Sequence, residues 1–128
     1  MIKRFIILLL LPVVAFASQD RYKIDETHFA VGFLVDHVGY AKTLGMFREI
    51  EGEYTHDLTE NKINDINIKI KTNSVFTNHT KRDEHLMSPD FLNVDEFPEM
   101  IFTADNVKIE KDETIINGNL TLLGITKP

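Results

Sequence analysis

Imidazole and carboxylate are the groups in this chain that could do chemistry. Its 128 residues hold five histidines and 20 acidic side chains, and no cysteine. Without cysteine there is no disulfide, thiolate nucleophile, thiolate metal site or lipid-modified N-terminal cysteine. His28 follows Asp25 by three residues, and His37 follows Asp36 directly. A neighbouring carboxylate can orient an imidazole for proton transfer or simply hold it in place. His79, Asp83 and His85 form the other cluster. On a helix His79 and Asp83 share a face, whereas His85 points elsewhere. Regular ligand spacing is absent, so no metal is expected. No serine elbow, glycine-rich phosphate loop or His-Glu-x-x-His pattern occurs. The residues therefore read as a non-enzyme with no cofactor.

The elements that carry these side chains are mostly strands. Phe29, Val31, Phe33 and Val35 alternate with Ala30, Gly32, Leu34 and Asp36, the period of a sheet with one apolar face. Ile50, Gly52 and Tyr54 alternate with Glu49, Glu51 and Glu53; Ile66, Ile68 and Ile70 alternate with Asn67, Lys69 and Lys71. Met100, Phe102 and Ala104 begin another strand, and Val107 and Ile109 fall out of phase with them. That slip predicts a bulge near Asp105-Asn106. Ile116, Gly118, Leu120 and Leu122 make the last strand, and Tyr22 to Asp25 a short first one, for about six in all. Turns at Val38-Gly39-Tyr40, Asp57 to Asn64 and Lys111 to Glu113 make consecutive strands antiparallel neighbours. The simplest fold is an all-β, up-and-down sheet that coils into a barrel.

One short helix is expected from about Asn78 to Met87, with Thr77 or Asn78 as N-cap and Pro89 as its stop. Val75, Phe76, Leu86, Met87, Phe91 and Leu92 cluster at its ends and not along a stripe. Such a helix plugs the end of a barrel better than it lies along a sheet.

Lys3 and Arg4 precede an apolar run from Phe5 to Val14, then Ala15-Phe16-Ala17. This is the layout of a signal peptide, 1–17, cleaved before Ser18. The run is too short for a comfortable membrane span, so no stable insertion is expected after cleavage. The protein is expected to be periplasmic or secreted. Loss of Lys3 and Arg4 leaves 12 basic residues against 20 acidic, a net of −8. Nucleic acid is then a poor partner, because it demands a basic face.

Three motifs carry a resemblance. "YKIDETHFAVGFLVDH", Tyr22 to His37, "RDEHLMSPDFLNVDEFPEMIFTA", Arg82 to Ala104, and "GNLTLLGITKP", Gly118 to Pro128, resemble in order and spacing the three blocks of the YceI-like family. Phe29 stands where the family usually has a small serine, and Leu123 where it often has histidine. The resemblance implies a lipocalin-like barrel whose lumen holds an isoprenoid lipid, a quinone or polyprenyl compound. It also implies that the Arg-Asp-x-His-Leu helix packs against the barrel. Family members run on well past the Thr-Lys-Pro block. A closed barrel with a ligand-sized lumen needs about eight strands, so residues 18–128 are expected to be an incomplete domain lacking its C-terminal strands. The rival expectation is a homodimer that closes edge to edge.

On that resemblance the lipid would be lined by Val31, Phe33, Val35, Ile66, Ile68, Ile70, Phe91, Met100, Phe102, Leu120 and Leu122. Gly52 and Gly118 would free volume beside them. Plain core is the alternative for every one. His28, His37 or Arg82 would touch a head group; alternatively the histidines are satisfied by backbone or by Asp25 and Asp36, and Arg82 pairs with Asp83 to fix the helix. A fatty acid or its amide is the runner-up ligand. A ligand-free structural or stress-response barrel is the reading from another class.

Overall fold

The computed structural model describes residues 19–128; the leader and its cleavage point after Ala17 lie outside the described residues. The strands are β1 (Gln19–Lys23), β2 (Val31–His37), β3 (Ala41–Phe47), β4 (Ile50–Asp57), β5 (Lys62–Lys71), β6 (Val75–Phe76), β7 (Glu99–Ile109), β8 (Thr114–Leu122) and β9 (Ile125–Lys127), with helix α1 (Thr80–Met87) between β6 and β7. They form a six-stranded sheet in the order β1-β4-β5-β7-β8-β9 and a three-stranded sheet in the order β2-β3-β6. Every pairing is antiparallel. The chain passes from one sheet to the other through the 3-10 turn Thr72–Ser74. Among the described residues the two sheets do not join into a ring: β1 and β9 end the larger sheet and β2 and β6 the smaller one, each with a free edge.

Six strands were expected and nine are present among the described residues. β3 hides in the sequence because its pattern is inverted. Its inward residues Ala41, Thr43 and Gly45 are small, while Leu44 and Met46 face out, as the register with β2 shows. β6 and β9 are too short to show a period. Sequential pairing holds for β2-β3, β4-β5, β7-β8 and β8-β9, but β1 crosses to β4 and β6 returns to β3. The β7 bulge is where the slipped alternation put it, between Thr103 and Asn106. A second irregularity lies between Glu53 and Thr55. It is absorbed on β5 at Asp65, whose φ of 51° an aspartate tolerates better than most residues.

Phe47, Ile50, Ile70, Val75 and Met100 form the buried core, with Leu86, Met87 and Leu92 packed on it. No residue of α1 is itself buried. The helix therefore docks through its last turn and the loop after it, as a plug. Its N-cap is His79 rather than Thr77 or Asn78. His79 has the extended conformation a cap needs, and its Nδ1 accepts from Arg82 N–H at 3.2 Å. Asn78 is left-handed, with φ 61°, and Thr77 is engaged elsewhere. Ser88 ends the helix in extended backbone before Pro89.

The glycines do not open space. A methyl on Gly45 would collide with the Phe33 ring. One on Gly118 would lie 2.6 Å from the Phe102 ring and still closer to the Thr103 carbonyl oxygen. One on Gly52 would meet Ile24 Cδ1 at 2.7 Å. The expectation that Gly52 and Gly118 free lumen volume is corrected: neighbouring side chains already occupy it. Gly118→Ala should accordingly destabilise the fold by about 1–3 kcal/mol, since overpacking forces backbone to shift. Urea denaturation measures it; an unchanged midpoint would show that β8 slides without cost.

Candidate functional site

The inner faces of the two sheets form one apolar surface. In the large sheet Ile70 opposes Met100, Ile68 opposes Phe102, Ile66 opposes Ala104, and Phe102 in turn opposes Leu120. Side chains that alternate along each strand therefore line up across these three strands, β5, β7 and β8, as rungs. From the small sheet come Val31, Phe33 and Val35, with Phe33 tilted against Phe47 at 5.5 Å. Ile66, Ile70 and Met100 are buried; Val31, Phe33, Ile68, Phe102 and Leu122 are half-buried. Val35 and Leu120 are 54% and 40% exposed. Of the expected lining residues Phe91 stands apart. Its ring meets His85 edge-on at 4.9 Å and is largely exposed. Leu92 takes the inward place. In two adjacent apolar residues only the turn of the loop decides which one packs.

The polar candidates do not converge. β2 begins at Val31, opposite Phe47, which itself pairs with Val75 of β6, and ends at His37 on the far side. α1 and the core mark the first end as plugged. His28 follows β1 at this plugged end, since Ile24 N–H donates to Gly52 O and the chain then runs toward Ile50. Its Nδ1 lies 2.8 Å from Asp25 Oδ2 and 2.9 Å from Thr27 Oγ1. Thr27 donates its N–H and hydroxyl to Asp25 Oδ1 at 2.9 and 2.6 Å. The group is solvent-exposed, so it organises a turn. Only His37 sits at the open end, and alternation turns it away from Asp36, which instead faces Lys42 at 3.8 Å.

Hydrogen bonds from Thr27's hydroxyl, then His28, then Thr27's N–H hold the Asp25 carboxyl below its ordinary range. A depressed carboxylate stabilises the fold above its unfolded pKa, and that contribution fades as pH falls through the lowered folded value. The Asp25 turn should therefore survive mild acid and open only below the usual carboxylate range. An NMR titration of Asp25 would contradict this with an ordinary midpoint.

Arg82 is exposed, yet its guanidinium is engaged within the protein. Its Nε donates to Thr77 Oγ1 and its guanidinium nitrogen to Thr77 O, both at 2.7 Å. Asp83 Oδ1 accepts from Thr77 N–H at 2.9 Å and from its hydroxyl at 2.5 Å. Among the described residues Arg82 and Asp83 form no ion pair with each other; instead both grip buried Thr77, as a clamp. Among the described residues no three histidine or acidic side chains come together as a metal group. No described helix is long and apolar enough to cross a membrane.

A YceI-like domain matches residues 22–128. The chain belongs to the YceI-like family. It is 46% identical over 114 residues to Protein YceI of Salmonella arizonae, a match covering 88% of this chain and 60% of that relative; the figures are the same for Protein YceI of Salmonella paratyphi B. The chain thus spans 60% of the length of these curated relatives. The YCEI protein of Campylobacter jejuni superposes with a TM-score of 0.63 at 30% identity, over 83% of this chain and 63% of that one. Burkholderia cenocepacia BcnA gives the same TM-score at 15% identity, over 77% and 60%, and shows the fold alone. The architecture is therefore the antiparallel, lipocalin-like barrel of YceI-like proteins, unclosed over the described residues. The family's three motifs become the Asp25–His28 turn with β2, the α1 plug with β7, and the β8–β9 hairpin around Gly124.

Proposed function

We propose that this chain is the lipid-holding part of an extracytoplasmic carrier for an isoprenoid-chain lipid of quinone or polyprenyl type. One observation carries the reading. The rungs Ile70–Met100 and Ile68–Phe102–Leu120 make a continuous apolar face on which Val31 and Phe33 of the other sheet pack, with Leu86, Met87 and Leu92 covering the core at the α1 end. The trough proposed along this face, covered at the α1 end, would suit a long flexible tail. Its affinity would come from buried area, at roughly 25 cal/mol per Å² before association costs. Residues 18–128 would act after removal of the 1–17 leader. The free edges of β2 and β9 would be paired by further chain of the kind the longer relatives carry, or by a second copy in a homodimer.

A ligand-free barrel is favoured by a different observation: the Phe33 and Phe102 rings already cover Gly45 and Gly118. A fluorescent prenyl probe separates the readings. Uptake competed by a prenyl alcohol but not by palmitate supports the isoprenoid carrier. Competition by palmitate moves the ligand to fatty acids, and no uptake leaves the filled barrel.

A further inference from the structure

At the end of the large sheet away from α1, the inner face changes character. Ile50, Gly52, Tyr54 and His56 share one side of β4, since the local irregularity falls on β5. Tyr22 of β1 sits directly opposite Tyr54. The two phenol rings stack at 5.4 Å with planes 15° apart, and the His56 ring lies 6.1 Å from Tyr22 at 57°. All three are half-buried. His56 is held by its Nε2 against Asn61 Oδ1 at 3.2 Å. Among the described residues neither phenol hydroxyl is hydrogen-bonded. The apolar rungs of the trough thus lead, on the same face, to a fixed aromatic wall with two unengaged O–H donors.

A cross-strand tyrosine pair alone would stabilise β1 on β4. That role needs neither hydroxyl, and it does not account for the pair's position at the open end of the trough. Aromatic faces bind flat rings by offset stacking, and a few convergent polar atoms at an apolar pocket's mouth fix orientation. We infer that Tyr22, Tyr54 and His56 form the head-group subsite, and that the head group is a planar, oxygen-bearing ring that accepts hydrogen bonds from the phenols. This rests on the carrier reading and places the head away from His28 and Arg82, at the open end. The tail then points toward Leu86, Met87 and Leu92.

The test compares two probes with one tail, a geranylgeranyl-substituted benzoquinone and geranylgeraniol, on the full chain. The wild type should hold the quinone more tightly. The Tyr22→Phe/Tyr54→Phe double variant keeps the stack and should weaken the quinone about tenfold through the two lost hydroxyls, with geranylgeraniol unchanged within about twofold. Tyr22→Leu/Tyr54→Leu should weaken the quinone further, again sparing geranylgeraniol; circular dichroism checks that both variants fold. Equal loss of both probes, or no loss of either, overturns the subsite and leaves the carrier reading standing. Failure of the wild type to bind either probe overturns both.

Discussion

Ile68→Asp should reduce binding of a prenyl-chain probe by at least about 100-fold in the full-length protein, equivalent to about 2.7 kcal/mol. Ile68 sits mid-trough, opposite Phe102 on one side and Gly52 on the other. It is only half-buried, so an aspartate there can find water in the empty protein but not beneath a seated apolar tail. A carboxylate covered by hydrocarbon has no partner and loses its hydration, which costs several kcal/mol. Ile68→Leu conserves volume and should bind within about threefold of wild type, because such swaps cost little. Phe33→Arg, across the trough, should behave like Ile68→Asp. A folded Ile68→Asp protein that takes up the probe normally would mean that the lipid lies somewhere other than against these rungs.

The second large effect concerns the plug. Asp83→Ala should destabilise the fold by about 2–4 kcal/mol. The Thr77 N–H and hydroxyl both lose their acceptor, and Thr77 is only 5% exposed, so water replaces the carboxylate poorly. Arg82 grips the same residue through its hydroxyl and carbonyl oxygens and cannot replace the lost acceptor, because a guanidinium only donates. Thr77→Val keeps the shape but removes the hydroxyl between the two, and should cost about 1–2 kcal/mol. Denaturant midpoints measure both. Limited proteolysis near α1 should quicken in Asp83→Ala first, since the helix has no buried residue of its own to keep it docked. A change below about 0.5 kcal/mol would show that the clamp adds no more than an ordinary surface contact.

The sequence shows its faces more readily than its ends. Period-two alternation is enough to place Ile66, Ile68, Ile70, Met100 and Phe102 on one side, because a strand has only two sides to choose from. It also exposes the β7 bulge, since one extra residue flips every side chain after it. β3 escapes because its inward positions before Phe47 are small, Gly45 lying under the Phe33 ring, while Leu44 and Met46 lie outside. Gly52 and Gly118 read as missing volume because a sequence records the absent side chain and not Ile24 or Phe102 filling its place. The polar candidates are the hardest to read. Whether His28, His37 and Arg82 meet depends on which end of which strand each occupies, and register between distant strands sets that. For the same reason the Tyr22–Tyr54–His56 wall is invisible until β1 is seen to pair with β4.

Native mass spectrometry of the protein purified from the extracytoplasmic fraction of its own host tests the carrier claim most directly. The account predicts a polypeptide starting at Ser18 that carries a noncovalent adduct of quinone or polyprenyl mass, lost in Ile68→Asp. A folded protein with no adduct, or one whose adduct persists in Ile68→Asp, would contradict it.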